Sequence, residues 1–139
     1  MTNIHTSSEE ETAEAGRSFA SELRTGDVVL IEGPLGAGKT AFVRGIAEGL
    51  GADPSDVSSP TFTILQQYRS TPILYHADLY RLTAAEVPDL GLEETGLDGV
   101  LAIEWPDRWA ARPRSAIQVV IEDLGGADRQ ISVRRYSTL

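Results

Sequence analysis

Cysteine is absent from the chain, which excludes a disulfide framework, a thiolate metal site and a cysteine nucleophile. Lysine is nearly absent too: of twelve cationic side chains, eleven are arginine and Lys39 is the only lysine. No apolar run is long enough to span a bilayer, and the polar, acidic stretch from Met1 to Glu11 has the features of neither a signal peptide nor a membrane anchor. A soluble, cytoplasmic protein without membrane contact is therefore expected. Positive charge is scarce as a whole. Twelve basic residues stand against twenty-one acidic ones, a net charge of −9, so most of the surface repels a polyanion and extensive direct nucleic-acid binding is disfavoured. The same acidic balance serves solubility. Docking on a partner has to be local and specific.

What is present suits one domain spanning residues 1–139, because 41% apolar residues suffice for a single core at this length. There is no internal repeat, low-complexity tract or linker. Ser7 or Ser8 can cap a helix with Ala13, Phe19, Ala20 and Leu23 on its apolar face, Glu9 to Glu11 in its first turn, and an end near Thr25-Gly26. Val28-Val29-Leu30-Ile31 reads as a strand buried on both faces, as in a parallel sheet. From Lys39 to about Leu50, Phe42, Val43, Ile46, Ala47 and Leu50 recur at helical spacing, with Gly49 and Gly51 as a stop. Gly51 to Pro60 reads as a loop. Two strands, Phe62 to Arg69 and Ile73 to Leu79, flank a short Ser70-Thr71-Pro72 connection that favours an antiparallel hairpin. Thr83 can cap a short helix through Glu86 and Val87, followed by a loop or broken helix from Asp89 to Gly99. Val100 to Ile103, Ile117 to Ile121 and Ile131 to Val133 supply further strands, with Gly125-Gly126 as a turn. The expected class is α/β: a P-loop NTPase-like three-layer sandwich whose mixed sheet has a parallel core and added antiparallel strands.

Gly33-Pro34-Leu35-Gly36-Ala37-Gly38-Lys39-Thr40 fits G-x-x-x-x-G-K-[ST] and stands between a buried strand and an amphipathic helix, the context this motif requires. Its glycines let the backbone curl around an anion, and the helix amino terminus adds partial positive charge. Nucleotide phosphates are thus expected on Gly33, Leu35, Gly36, Ala37, Gly38, Lys39, Thr40 and Ala41. Lys39 reaches the terminal phosphates and the Thr40 hydroxyl ligates Mg²⁺. A lone lysine here has a reason, since a compact ammonium on a flexible stem does what a planar guanidinium cannot.

Such a site needs an acidic residue at a neighbouring strand end to hold Mg²⁺. Asp78 and Glu104 are the candidates. Glu104 follows the cleaner apolar run and can also polarise an attacking water; Asp78 suits a closer metal ligand, and either could instead cap a helix or pair with arginine. Thr61 lies where switch segments present an oxygen to the metal. His76, on a strand, reads more readily as a hydrogen-bonded structural residue. Trp105 is either nucleotide-adjacent or packing, and Trp109 reads as core or interface packing. Arg108, Arg112 and Arg114 form either a phosphate lid or a solvated basic turn.

Together, Gly33 to Thr40, Ser59-Pro60-Thr61-Phe62, His76-Ala77-Asp78-Leu79-Tyr80-Arg81 and Ile103-Glu104-Trp105-Pro106 resemble, in order and spacing, the TsaE (YjeE) family over nearly the whole chain. The resemblance implies an ATPase that acts with TsaB and TsaD to sustain threonylcarbamoyladenosine formation beside the anticodon of tRNAs, meeting tRNA only through that complex. Hydrolysis would reset the assembly. By the same resemblance Lys39 and Thr40 contact phosphate and metal, Thr61 is the switch-like threonine, Asp78 is a Mg²⁺-associated carboxylate, Glu104 is the residue most tied to hydrolysis, and Trp105 belongs to the signature. Ala41 departs from the second threonine that many relatives carry, and the strands from Ile117 onward match no motif.

Three alternatives frame this reading. Asp123-Leu124-Gly125-Gly126 spells a GTPase D-x-x-G, but no guanine motif follows in the thirteen remaining residues. A small-molecule kinase would use Asp78 as base for an acceptor hydroxyl and the arginines 108–114 as a lid. A nucleotide-dependent binding module would use hydrolysis only as a timer.

Overall fold

The apolar run at residues 28–31 lies in the interior of a mixed sheet in a computed structural model, which describes residues 2–53 and 64–135. Among these residues the strands are β1 (Thr2–Thr6), β2 (Val28–Glu32), β3 (Leu65–Tyr68), β4 (Ile73–Asp78), β5 (Gly99–Glu104), β6 (Ile117–Gly125) and β7 (Asp128–Arg134), and the α-helices are α1 (Glu9–Ala20), α2 (Lys39–Gly49) and α3 (Leu92–Thr95). The seven strands lie in the order β1-β7-β6-β2-β5-β4-β3. β6, β2, β5 and β4 run parallel, while β3 pairs antiparallel with β4, β7 with β6 and β1 with β7. A parallel core with antiparallel additions is the expected class.

Side chains alternate between faces along each strand, so two cores form. Val29, Ile31, Leu74, Val100 and Ala102 meet Phe19, Phe42, Val43 and Ile46 of α1 and α2 on one face. Leu30, Ala77, Leu101 and Ile103 meet Val87, Leu92 and Trp109 on the other. Every residue of β5 is buried, which accounts for its unbroken apolar reading. The sheet is thus the middle layer, between two full helices and a set of short helical turns.

Ser8 caps α1 by accepting a hydrogen bond from the Glu11 N–H at 3.0 Å, and the Glu11 carboxylate accepts one from the Ser7 N–H at 2.8 Å. The helix stops at Ala20, earlier than the apolar spacing predicts. Ser21 turns its hydroxyl onto the Ser18 carbonyl, and the Asp27 carboxylate accepts from the Arg24 N–H, closing a turn that brings Leu23 into the core without further helix. Thr83 also caps no helix: its N–H and hydroxyl both donate to Glu86, and the helical turn begins later, at Val87–Leu90, where Pro88 is tolerated because the first turn needs no N–H from it. The broken helix expected after Asp89 is α3 followed by the turn Gly96–Asp98. The strands from Ile117 onward extend further than their apolar residues, as a β6–β7 hairpin around Gly126. β1 is an addition that no sequence pattern indicated.

α1 and α2 cross with their backbones almost touching. A Cβ at Gly45 would overlap the Ala13 carbonyl oxygen, and one at Gly16 the Phe42 carbonyl oxygen. Backbone cannot swing aside as a side chain can, so the overpacking cost lies at the upper end of the usual range, about 3 kcal/mol. Gly45→Ala is therefore expected to lower the melting temperature by roughly 10 °C, measured by circular dichroism. An unchanged melting temperature would show that the crossing relaxes freely.

Candidate functional site

Parallel strands end together, and here their carboxyl ends carry the polar residues. Asp78 closes β4 directly opposite Glu104, which closes β5, and Glu104 in turn faces Ile31 near the end of β2. β2 runs out at Glu32 into the turn 33–38, from which α2 starts at Lys39. Gly36 and Gly38 have φ of 77° and 103°, values that a residue with a Cβ adopts only under strain. The turn and the first residues of α2 face a cleft of about 550 Å³. Leu35, Gly36, Ala37, Gly38, Lys39, Thr40, Ala41, Asp78, Glu104 and Trp105 all line it. The helix dipole adds positive potential at such a position, which suits an anion.

Lys39 is only 5% exposed. Its ammonium donates to the Gly33 and Pro34 carbonyls, the latter at 2.8 Å, and lies 4.4 Å from the centroid of the Trp105 ring. Burial pushes its pKa below the ordinary lysine range, against the Glu104 and Asp78 carboxylates, which hold it up. Gly33 itself is absent from the cleft lining and enters through that carbonyl. Trp105 is the one non-glycine residue with positive φ among the described residues, at 60°. This strained conformation sets its ring against Lys39, with the Tyr80 ring tilted against it at 44° and a centroid distance of 5.0 Å.

Glu104 is 3% exposed. Its Oε2 accepts a hydrogen bond from Thr40 Oγ1 at 3.3 Å and lies 2.6 Å from His76 Nε2. Asp78 is half-buried, and its Oδ1 accepts from the Tyr80 N–H at 3.0 Å. A hydroxyl and two carboxylates are hard oxygen donors of the kind that magnesium takes in combination with phosphate oxygens and water. Among the described residues no three His, Cys, Asp or Glu side chains converge as a metal-binding group.

Thr61 lies outside the described residues. Arg108, Arg112 and Arg114 do not line the cleft. Arg108 stands over the Tyr80 and Trp105 rings at 5.8 and 5.7 Å, and Arg112 bonds the Trp109 carbonyl. Trp109 is core, at 4% exposure.

Sequence reasoning missed one wall of the cleft, formed by Ser8, Glu9 and Thr12 at the start of α1 and by Gly126, Ala127 and Arg129 of the β6–β7 hairpin. Arg129 straps the turn in place. Its guanidinium donates to the Gly36 and Ala37 carbonyls and to the Asp123 carboxylate. Charged hydrogen bonds of this kind contribute about 2 kcal/mol when partly buried. Arg129→Ala is expected to speed amide exchange across residues 36–39 while β5 stays protected; equal exchange in the two proteins would mean that the turn holds its shape unaided.

This chain is similar to known proteins along its length. A family model described as threonylcarbamoyl adenosine biosynthesis protein TsaE matches residues 6–131. A tRNA threonylcarbamoyladenosine biosynthesis protein TsaE from Nostoc sp. is 38% identical over 143 residues, covering 99% of this chain and 88% of the relative. One from Bacillus subtilis is 42% identical, covering 88% and 78%. A crystal structure of Bacillus subtilis YdiB superposes with a TM-score of 0.81 at 34% identity, covering 98% of this chain and 86% of that one.

Proposed function

Since this chain belongs to the TsaE family of threonylcarbamoyl adenosine biosynthesis proteins, we propose that it is the Mg²⁺-dependent ATPase of tRNA threonylcarbamoyladenosine formation, acting in the cytoplasm with TsaB and TsaD. The observation that carries this reading is the meeting of Lys39, Thr40, Asp78 and Glu104 in one cleft at the carboxyl ends of parallel strands, where α/β sheets bind their ligands.

In this reading the turn 36–38 and the start of α2 hold the phosphates, and the rest of the cleft, walled by Ser8, Glu9, Thr12 and Gly126, takes the nucleoside. Lys39 is a buried cation held by two backbone carbonyls, and a cation shielded from water gains most from a polyanion brought into contact with it. Thr40, Asp78 and Glu104 are the groups that would hold Mg²⁺, which when bound neutralises charge on the phosphoryl group being transferred. Glu104 takes the proton of a water as that water attacks the γ-phosphorus, giving ADP and inorganic phosphate. The chain's net charge of −9 agrees with tRNA being reached through partners rather than gripped by this subunit. A kinase acting on a small acceptor has less support, because of the three arginines that would form its lid Arg112 and Arg114 lie outside the cleft lining and Arg108 stands over the Tyr80 and Trp105 rings at its edge.

Purified protein with Mg²⁺ and ATP should release phosphate slowly, and faster on addition of TsaB and TsaD. Efficient phosphorylation of a metabolite hydroxyl, with no effect of those partners, would overturn the assignment.

A further inference from the structure

His76 and Glu104 form a pair that the chemistry above does not use. In the β4–β5 register His76 faces Ala102 and Asp78 faces Glu104, so His76 and Glu104 are diagonal neighbours on one face of the sheet, a separation that long side chains bridge. They do so in a nearly dry place, at 1% and 3% exposure. Nε2 lies 2.6 Å from Glu104 Oε2, and Nδ1 has no hydrogen-bond partner among the described residues. A carboxylate only accepts, so the short contact assigns the ring proton to Nε2.

The consequence falls on the carboxylate. A glutamate has three rotatable bonds and two equivalent oxygens, and a general base works only when one oxygen faces its water. Here Oε2 takes the short bond from His76, whereas the Thr40 hydroxyl lies 3.3 Å from Oε2 and 3.5 Å from Oε1. Oε1 therefore keeps the greater free acceptor capacity. We propose that His76 is the positioning residue of this site: its Nε2–H anchors Glu104 Oε2 and leaves Oε1 as the oxygen presented to water and metal. His76 does not line the cleft, so its part is to act through Glu104. The inference rests on Glu104 being the hydrolytic residue.

Two substitutions separate positioning from packing. The glutamine side-chain amide nitrogen reaches about as far as histidine Nε2, and that of asparagine only about as far as Nδ1. His76→Gln should keep ATP turnover within a few-fold of the unchanged protein, and His76→Asn should lose roughly 10- to 100-fold in kcat. Both should hold KM for ATP and the dissociation constant of ADP within about twofold, because uniform binding is untouched. Melting curves accompany the kinetics. Equal activity of the two variants, a loss that appears in KM, or a loss that follows melting temperature rather than the reach of the amide overturns the positioning role. If the unchanged protein hydrolyses ATP and Glu104→Gln stops it while both His76 variants turn over normally, the inference fails and the proposed function stands. If the unchanged protein never hydrolyses ATP, the proposed function fails and takes the inference with it.

Discussion

Glu104→Gln should bind ATP as well as the unchanged protein does and hydrolyse it about 10²- to 10⁴-fold more slowly, the range that a positioned general base contributes. Glutamine keeps the length and the acceptor oxygen, so the Thr40 and His76 contacts survive and the fold is undisturbed. What goes is the negative charge and the ability to take a proton. Binding has two opposed reasons to change: one oxygen ligand near the metal is weakened, and one carboxylate near a polyphosphate is neutralised. They offset one another to within a few-fold. Titration with a fluorescent ATP analogue gives the affinity, and phosphate release gives turnover. A variant that loses affinity but hydrolyses bound ATP at the normal rate would make Glu104 a metal ligand only.

Lys39→Ala should abolish nucleotide binding at concentrations that saturate the unchanged protein. Removing one partner of a buried charge pair costs about 3–5 kcal/mol, which at 1.4 kcal/mol per decade is a rise in dissociation constant of roughly two to three and a half orders of magnitude. Lys39→Arg should fare little better. The ammonium sits between two carbonyls and an indole ring with 5% exposure, and a planar guanidinium has no room there. Stability should respond differently from binding. Burial lowers the Lys39 pKa in the folded protein, so at neutral pH its charge is a cost that folding bears. That cost is shed as pH rises through the interval between the folded and unfolded values, since there the unfolded chain binds more protons. Lys39→Ala removes the cost, so it should melt within a few degrees of the unchanged protein, by calorimetry at neutral pH, and gain less stability on passing to alkaline pH. Retained affinity in either variant would contradict the assigned phosphate contact.

The parts of the site legible in the sequence are those written locally. The turn 33–38 carries its own spacing, and Glu104 and Asp78 close apolar runs that identify their strands without help from other elements. The parts that were illegible depend on chain segments far apart. β1, Thr-Asn-Ile-His-Thr, has one aliphatic residue and no alternation to read; it is a strand because Thr2 to Thr6 pair with Val133 to Arg129. Arg129 looks like any arginine of an exposed hairpin until the fold brings it to the Gly36 and Ala37 carbonyls. The α1 end was overextended because Leu23 continues a helical spacing that the chain satisfies with a turn instead. Gly16 and Gly45 weaken a helix in isolation, and their use is visible only where two helices cross. The pairing of His76 with Glu104 follows from the β4–β5 register, which no local pattern specifies. Motif reading therefore named residues that the fold gathers along one cleft and missed Arg129 and the start of α1 that wall it.

The most direct test of the whole account is the threonylcarbamoyladenosine content of tRNA, by mass spectrometry, in bacterial cells depleted of their own TsaE and supplied with this chain or with its Glu104→Gln form. The account expects the unchanged chain to restore the modification and Glu104→Gln, expressed at the same level, to leave it depleted. Restoration by both would mean that binding without turnover suffices, and restoration by neither would remove the chain from this reaction while leaving its phosphate site intact.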